Sequence, residues 1–159
     1  LCTRGPQPRA AHAMVPDPTD DSVLLFGGRS LNRFFGDTWR WDGSAWSQVS
    51  QEGPLPRAFH GMASCRREQA VALFGGWTGA PSQRTHFGDV WSWKGGAWKR
   101  LNEDGPPAGG VYAMACEDDG QRVIFHGGGR KADGNTWRLQ DQTWLRRDGT
   151  WKSIDPSQS

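Results

Sequence analysis

Four histidines, three cysteines, one tyrosine and a scatter of carboxylates are the side chains in this 159-residue chain with reactive chemistry to offer. His12 and His60 hold the same place in two copies of a repeated segment, which favours hydrogen bonding in a scaffold over proton transfer. His126 takes the place that Phe26 and Phe74 hold in the other copies and is expected to pack, whereas His86 lies in a loop, out of register. Metal chemistry would need ligand spacings such as Cys-x-x-Cys or His-x-x-x-His, and none occurs. Asp17, Asp20 and Asp21 read as a solvated turn. Cys2, Cys65 and Cys116 form an odd set, expected as buried free thiols, with one disulfide as the alternative. Glycoside chemistry needs two opposed carboxylates. Glu52 and Glu103, however, fall at matched places before the next Gly-Pro, as scaffold residues do, with Asp104 beside the second. No serine-nucleophile or phosphate-loop motif is present, so the expectation is a non-catalytic protein without metal or cofactor.

Binding chemistry is concentrated elsewhere. Three loops of variable length, residues 29–36, 77–88 and 129–141, carry Arg29, Asn32, Arg33, Trp77, Arg84, His86, Arg130, Lys131 and Trp137. Guanidinium groups pair bidentately with anions and indoles stack on flat partners, and loops on a rigid scaffold are where such residues act. These nine residues are the candidate ligand-contacting set.

The scaffold itself is written three times. Gly5-Pro6-Gln7-Pro8-Arg9-Ala10-Ala11-His12-Ala13-Met14 returns 48 residues later from Gly53 to Met62, and 52 residues after that, more loosely, from Gly105 to Met114. Recurrence at this spacing marks units that stack to bury a shared core. Within each unit a first strand (10–15, 59–64, 111–116) precedes a polar turn and a second, apolar strand (23–26, 71–74, 123–126). The second strand ends at a glycine pair, Gly27-Gly28, Gly75-Gly76 or Gly127-Gly128, suited to positive φ or close backbone approach.

After the variable loop comes a hairpin: Trp39 and Trp41 lead through Asp42-Gly43 to Trp46, and Trp91 and Trp93 lead to Trp98. In the third unit Trp144 and Trp137 compete for the place of Trp39. The interval from the glycine pair is 11 residues in unit one and 15 in unit two; it is 16 to Trp144 but 9 to Trp137. Trp144 is therefore placed in register, with Asp148-Gly149 as the turn leading to Trp151. Eight tryptophans then build sheets, and Trp77 and Trp137 are left to the loops.

A Pro-Arg-x-x-His start, an apolar strand ending in Gly-Gly and an Asp-Thr-Trp-x-Trp hairpin resemble Kelch repeats. In the third unit Gly109 replaces the Arg, Tyr112 the His and Gln142 the Asp. The resemblance implies an all-β fold of β-propeller blades, three four-stranded antiparallel Kelch-type blades spanning 5–52, 53–104 and 105–155. Propellers close with four to eight blades. Three blades would thus leave a Trp-rich face at each end, to be covered by a second copy in a six-bladed ring or by more of a longer chain. The structural repeat residues are the glycine pairs with Trp39, Trp91 and Trp144.

The function expected is a binding module whose partner is another protein. Two alternatives are a lectin-like propeller that binds glycan, and a piece of a propeller enzyme whose site needs further blades. A copper site of the galactose oxidase kind, which the family resemblance also brings up, would need more tyrosine than Tyr112 alone. With a net charge of +2 and interspersed signs there is no nucleic-acid or membrane footprint, and no apolar run approaches a bilayer span.

Overall fold

A computed structural model describes residues 5–101, 105–117, 122–131 and 137–154; the side chains of Arg130, Lys131 and Trp137, and residues Cys2, Glu103 and Asp104, lie outside the described part. The described chain is all-β, with no helix. Three open four-stranded antiparallel sheets follow one another. Sheet one contains β1 (Ala13–Pro16), β2 (Val23–Phe26), β3 (Thr38–Trp41) and β4 (Trp46–Ser50). Sheet two contains β5 (Gly61–Cys65), β6 (Ala70–Phe74), β9 (Val90–Lys94) and β10 (Ala97–Leu101). Sheet three contains β11 (Ala113–Cys116), β12 (Arg122–His126), β15 (Thr143–Arg147) and β16 (Thr150–Ile154). Two small hairpins, β7 (Trp77–Thr78) with β8 (Thr85–His86) and β13 (Gly129–Lys131) with β14 (Trp137–Leu139), extend from the second and third units.

Register explains the recurrence of tryptophan. Leu25 pairs with Trp39, Leu73 with Trp91 and Phe125 with Trp144. Alternation along a strand puts these tryptophans on the face turned toward the preceding sheet. Sheet two accordingly lays Met62, Leu73, Trp93 and Trp98 against Leu24 and Phe26 of sheet one. Sheet three lays Phe125, Trp151 and Trp144 against Phe74 and Val90 of sheet two. The expectation of a Trp-rich face at both ends is therefore corrected. Sheet one turns Trp39, Trp41 and Trp46 outward and half-buried, whereas the outer face of sheet three follows Ile124, His126, Thr143, Leu145 and Arg147.

Three other expectations change. His126 is exposed on the outer face of sheet three, with Nδ1 bonded to Thr143 Oγ1 at 2.9 Å. Cys65 and Cys116 are joined as a disulfide with Cα atoms 5.3 Å apart, so the free-thiol reading is replaced. The first strands begin two to three residues late. Ala11, Phe59 and Val111 instead take left-handed φ of 55°, 61° and 64°, unfavourable for residues with a Cβ and most of all for a β-branched valine. What holds them is a relay between units: Phe59 N–H donates to Ala11 O at 2.9 Å and Val111 N–H to Phe59 O at 2.8 Å.

The glycine pairs are compact joints. Gly27 and Gly28 have φ of 67° and 95°, and a Cβ on Gly27 would run into the Arg57 carbonyl and the His60 ring of the next unit. Gly75 meets Tyr112 and Gly109 in the same way. Backbone bonds then seal each joint, from Gly28 N–H to Arg57 O at 2.8 Å and from Gly76 N–H to Gly109 O at 2.7 Å.

Candidate functional site

Among the described residues, the buried side chains with reactive chemistry, Asp17, His60, Cys65 and Tyr112, sit within the sheets and their turns. Arg9 forms a bidentate pair with Asp37 (2.6 and 3.0 Å), donates to Gly27 O at 3.0 Å and lies 3.9 Å over the Phe35 ring. Trp39 Nε1–H donates to the same carboxylate at 2.7 Å. Unit two repeats every part: Arg57 pairs with Asp89 (2.5 and 2.9 Å), donates to Gly75 O and covers Phe87, and Trp91 bonds Asp89 at 2.7 Å. Burial alone would raise the carboxyl pKa of Asp37 and Asp89. The bonds from Arg and Trp outweigh it and hold both below the ordinary value, so both stay ionised and paired.

His60 is equally structural. Buried between sheets one and two, it packs edge-on to Phe26 at 5.4 Å, and neither ring nitrogen makes a well-formed hydrogen bond. Burial, with Arg57 and His12 adding repulsion, pushes its pKa down to about 3, and a weak contact with the Phe26 backbone does little to offset this. His12 is lowered too, by burial and by Arg9. Rings this reluctant to take a proton make poor general acids at neutral pH. Asp17 Oδ1 accepts the Thr19 N–H and hydroxyl while Oδ2 meets Arg40 at 3.2 Å, so the acidic turn is an ordered cap, not an open chelator. Glu52 is exposed. No cluster of His, Cys, Asp and Glu suited to a metal occurs among the described residues.

Five of the nine loop candidates meet in one place. The loop that follows Gly28 and the β7–β8 hairpin stand side by side, and between them lies a cleft of about 340 Å³ lined by Arg29, Asn32, Arg33, Trp77 and Arg84. These segments sit close because Ala10 bridges Arg29 and Ala58 bridges Trp77, which fixes both loops to consecutive units joined by the Ala11–Phe59 bond. Asn32 and Arg33 are exposed and Arg29 and Arg84 half-buried. Arg33 lies 4.4 Å over Phe35, Arg29 5.8 Å over Phe34 and Arg84 5.2 Å over Trp77, so aromatic faces hold all three guanidiniums in position.

Trp77 differs from its expected role. Its ring is 5% exposed and stacked on Phe59 at 4.2 Å with an interplanar angle of 11°. It anchors the hairpin and supports Arg84 instead of standing free for a ligand. His86 pairs with Trp77 across that hairpin, rings 5.8 Å apart, and serves the same hairpin. Arg130, Lys131 and Trp137 belong to the β13–β14 hairpin by their backbones, Lys131 opposite Trp137; their side chains lie outside the described residues.

A second cavity of about 680 Å³ adjoins the cleft and shares its Arg29–Asn32 wall; its apolar lining is Pro8, Ala10, Ala11, Leu31 and Phe59. The sequence reading missed this apolar half. Its signal is Leu31, an isolated leucine in a polar loop, 94% exposed. Compared with known proteins, the chain matches no family model and no curated protein.

Proposed function

We propose that this chain is a non-catalytic binding module built from three Kelch-type propeller blades, and that its ligand, a protein segment, docks on the loops that follow the glycine pairs. One observation carries this reading: residues from two separate repeats converge on one surface cleft, while in the interior His60 packs on Phe26 and Asp37 and Asp89 are paired with arginines. The propeller assignment is supported by three sheets of identical strand order and by first strands linked in series through Ala11, Phe59 and Val111. Of the two indoles the lectin alternative would use as a sugar platform, Trp77 is buried and unsuited to it, while the side chain of Trp137 lies outside the described residues. The enzyme-fragment alternative gains no metal cluster from the described residues.

Trp39, Trp41 and Trp46 on the outer face of sheet one call for a cover, supplied by a second copy in a six-bladed ring or by further blades of a longer chain. The test of the binding reading is selection from a displayed random-peptide library. Ligands selected on the unmodified protein are expected to lose binding to Asn32→Ala/Arg33→Ala and to keep it on Lys99→Ala/Arg100→Ala, which alters exposed residues of β10. Ligands insensitive to the loop change would overturn it.

A further inference from the structure

Resting on the binding reading above, we infer that the cleft and its neighbouring groove form one composite site for an acidic peptide segment, with carboxylates seated at Arg29 and Arg33 and an apolar side chain beside Leu31. The two loops that build the cleft, residues 29–36 and 77–88, contain no Asp or Glu. The nearest acids, Asp37 and Asp89, are already occupied by Arg9 and Arg57. Neither Arg29 nor Arg33 forms an ion pair among the described residues, although Arg33 shares the Phe35 ring with the paired Arg9. Arg33 is exposed at the rim of the cleft and Arg29 half-buried beside it, and a guanidinium offers a fork of donors to which a carboxylate accepts two bonds at once.

Apolar surface decides what carries the carboxylates. Leu31 stands 94% exposed on the wall common to both cavities, and across the groove lie Pro8, Ala10, Ala11 and Phe59. A sulfated or carboxylated glycan would satisfy the guanidiniums but leave this groove wet. A peptide that places Leu or Phe next to Glu or Asp satisfies both halves, burying apolar area where Leu31 now faces water.

The experiment measures fluorescence anisotropy of three labelled peptides of about ten residues, carrying Glu-Glu-Leu-Glu, Gln-Gln-Leu-Gln or Glu-Glu-Ser-Glu in a Gly/Ser frame, with a heparin oligosaccharide as competitor. The first peptide is expected to bind at least ~10-fold tighter than either of the others, the scale of one lost charge-assisted contact or one lost apolar anchor. Its affinity should fall as salt rises. Arg29→Gln/Arg33→Gln should abolish the preference for Glu over Gln, and Leu31→Ser the preference for Leu over Ser, with unchanged urea midpoints showing that both variants fold. Equal binding of the Gln peptide, no binding of the acidic peptide, or preferential binding of the heparin oligosaccharide overturns the proposal. If library-selected neutral peptides still depend on Asn32 and Arg33 while the acidic peptide does not bind, the ligand chemistry fails and the binding reading survives. If no selected ligand depends on the loops, both fail.

Discussion

The junction between sheets one and two and the junction between sheets two and three use the same backbone and different side chains. In the first, Arg57 is fully buried, bonds Asp89, Gly75 O and Leu55 O, and lies beside the neutral ring of His60. In the second, Gly109 stands where Arg57 would be, Gln142 where Asp89 would be and Tyr112 where His60 would be. The Tyr112 ring reaches back across Gly109, where a Cβ would collide with the phenol oxygen, and donates to Pro107 O at 3.2 Å. Pro107 is the counterpart of Leu55, so the phenol takes over one bond of the missing guanidinium. The substitutions are thus one concerted exchange. A buried ion pair cannot lose one partner cheaply, but it can be replaced whole by a packed aromatic ring. One polar atom remains stranded: Trp144 Nε1, whose counterparts bond Asp37 and Asp89, has no hydrogen-bond partner. The second junction has the Cys65–Cys116 disulfide in compensation.

The largest effect that tests this contrast is loss of Arg57. Arg57→Ala leaves the half-buried Asp89 carboxylate without its main partner and is expected to lower stability by about 3–5 kcal/mol, read as a fall in the urea midpoint. Importing the other solution should rescue much of it. A protein carrying Arg57→Gly, His60→Tyr and Asp89→Gln is expected to be clearly more stable than one carrying Arg57→Gly alone. If the triple variant is no better, the two junctions are not interchangeable answers to one packing problem.

The disulfide should matter next. It closes a separation of 51 residues, for which the chain-entropy model gives about 4 kcal/mol and engineered cases about 2–4. Cys65→Ala/Cys116→Ala is expected to show that loss and to place it unevenly: amide exchange should quicken in β11, β12, β15 and β16 and change little in β1 to β4. Uniform quickening would mean that the second junction draws no special support from the bond.

Much of this contrast could be read in advance, and the unread parts have physical reasons. The tryptophan register, including Trp144 over Trp137, follows from intervals, because the 16 residues to Trp144 match the 15 of unit two and leave Asp148-Gly149 and Trp151 at hairpin spacing. The Arg–Asp pairs were hidden by a separation of 28 and 32 residues. Their simultaneous absence from the third unit, where Gly109 and Gln142 stand in their places, is the signal in the sequence that the two are partners. Parity would have revealed the disulfide: Cys65 lies three residues beyond Met62 and Cys116 two beyond Met114, so the two sulfurs leave opposite faces of their strands and meet between the sheets. Left-handed Ala11, Phe59 and Val111 were not legible, because no intrinsic preference of those residues points there and only the relay between units compensates them. Within the loops, composition singled out the arginines, of which Arg33 is exposed and Arg29 and Arg84 are half-buried. It misjudged Trp77, because an indole beyond a glycine pair folds onto Phe59 once the hairpin turns back.

The smallest effect separates the junctions by pH. His60 takes a proton with a pKa of about 3 when folded and near 6.5 when unfolded. Between those values the unfolded chain binds more protons, so stability falls as pH drops below 6.5 and is complete above it. From pH 7 to pH 4 the loss amounts to about 3 kcal/mol, a range that stays largely above the depressed titrations of Asp37 and Asp89. Tyr112, raised to about 12 by burial, contributes nothing over the same range. Chemical denaturation at a series of pH values should therefore show a slope that His60→Phe largely removes, leaving the smaller part due to His12. Because the charge arises at the first junction only, acid should also quicken amide exchange in β1 to β6 before β11 to β16. An unchanged slope in His60→Phe would place the acid sensitivity elsewhere and deny the buried imidazole its part in distinguishing the two junctions.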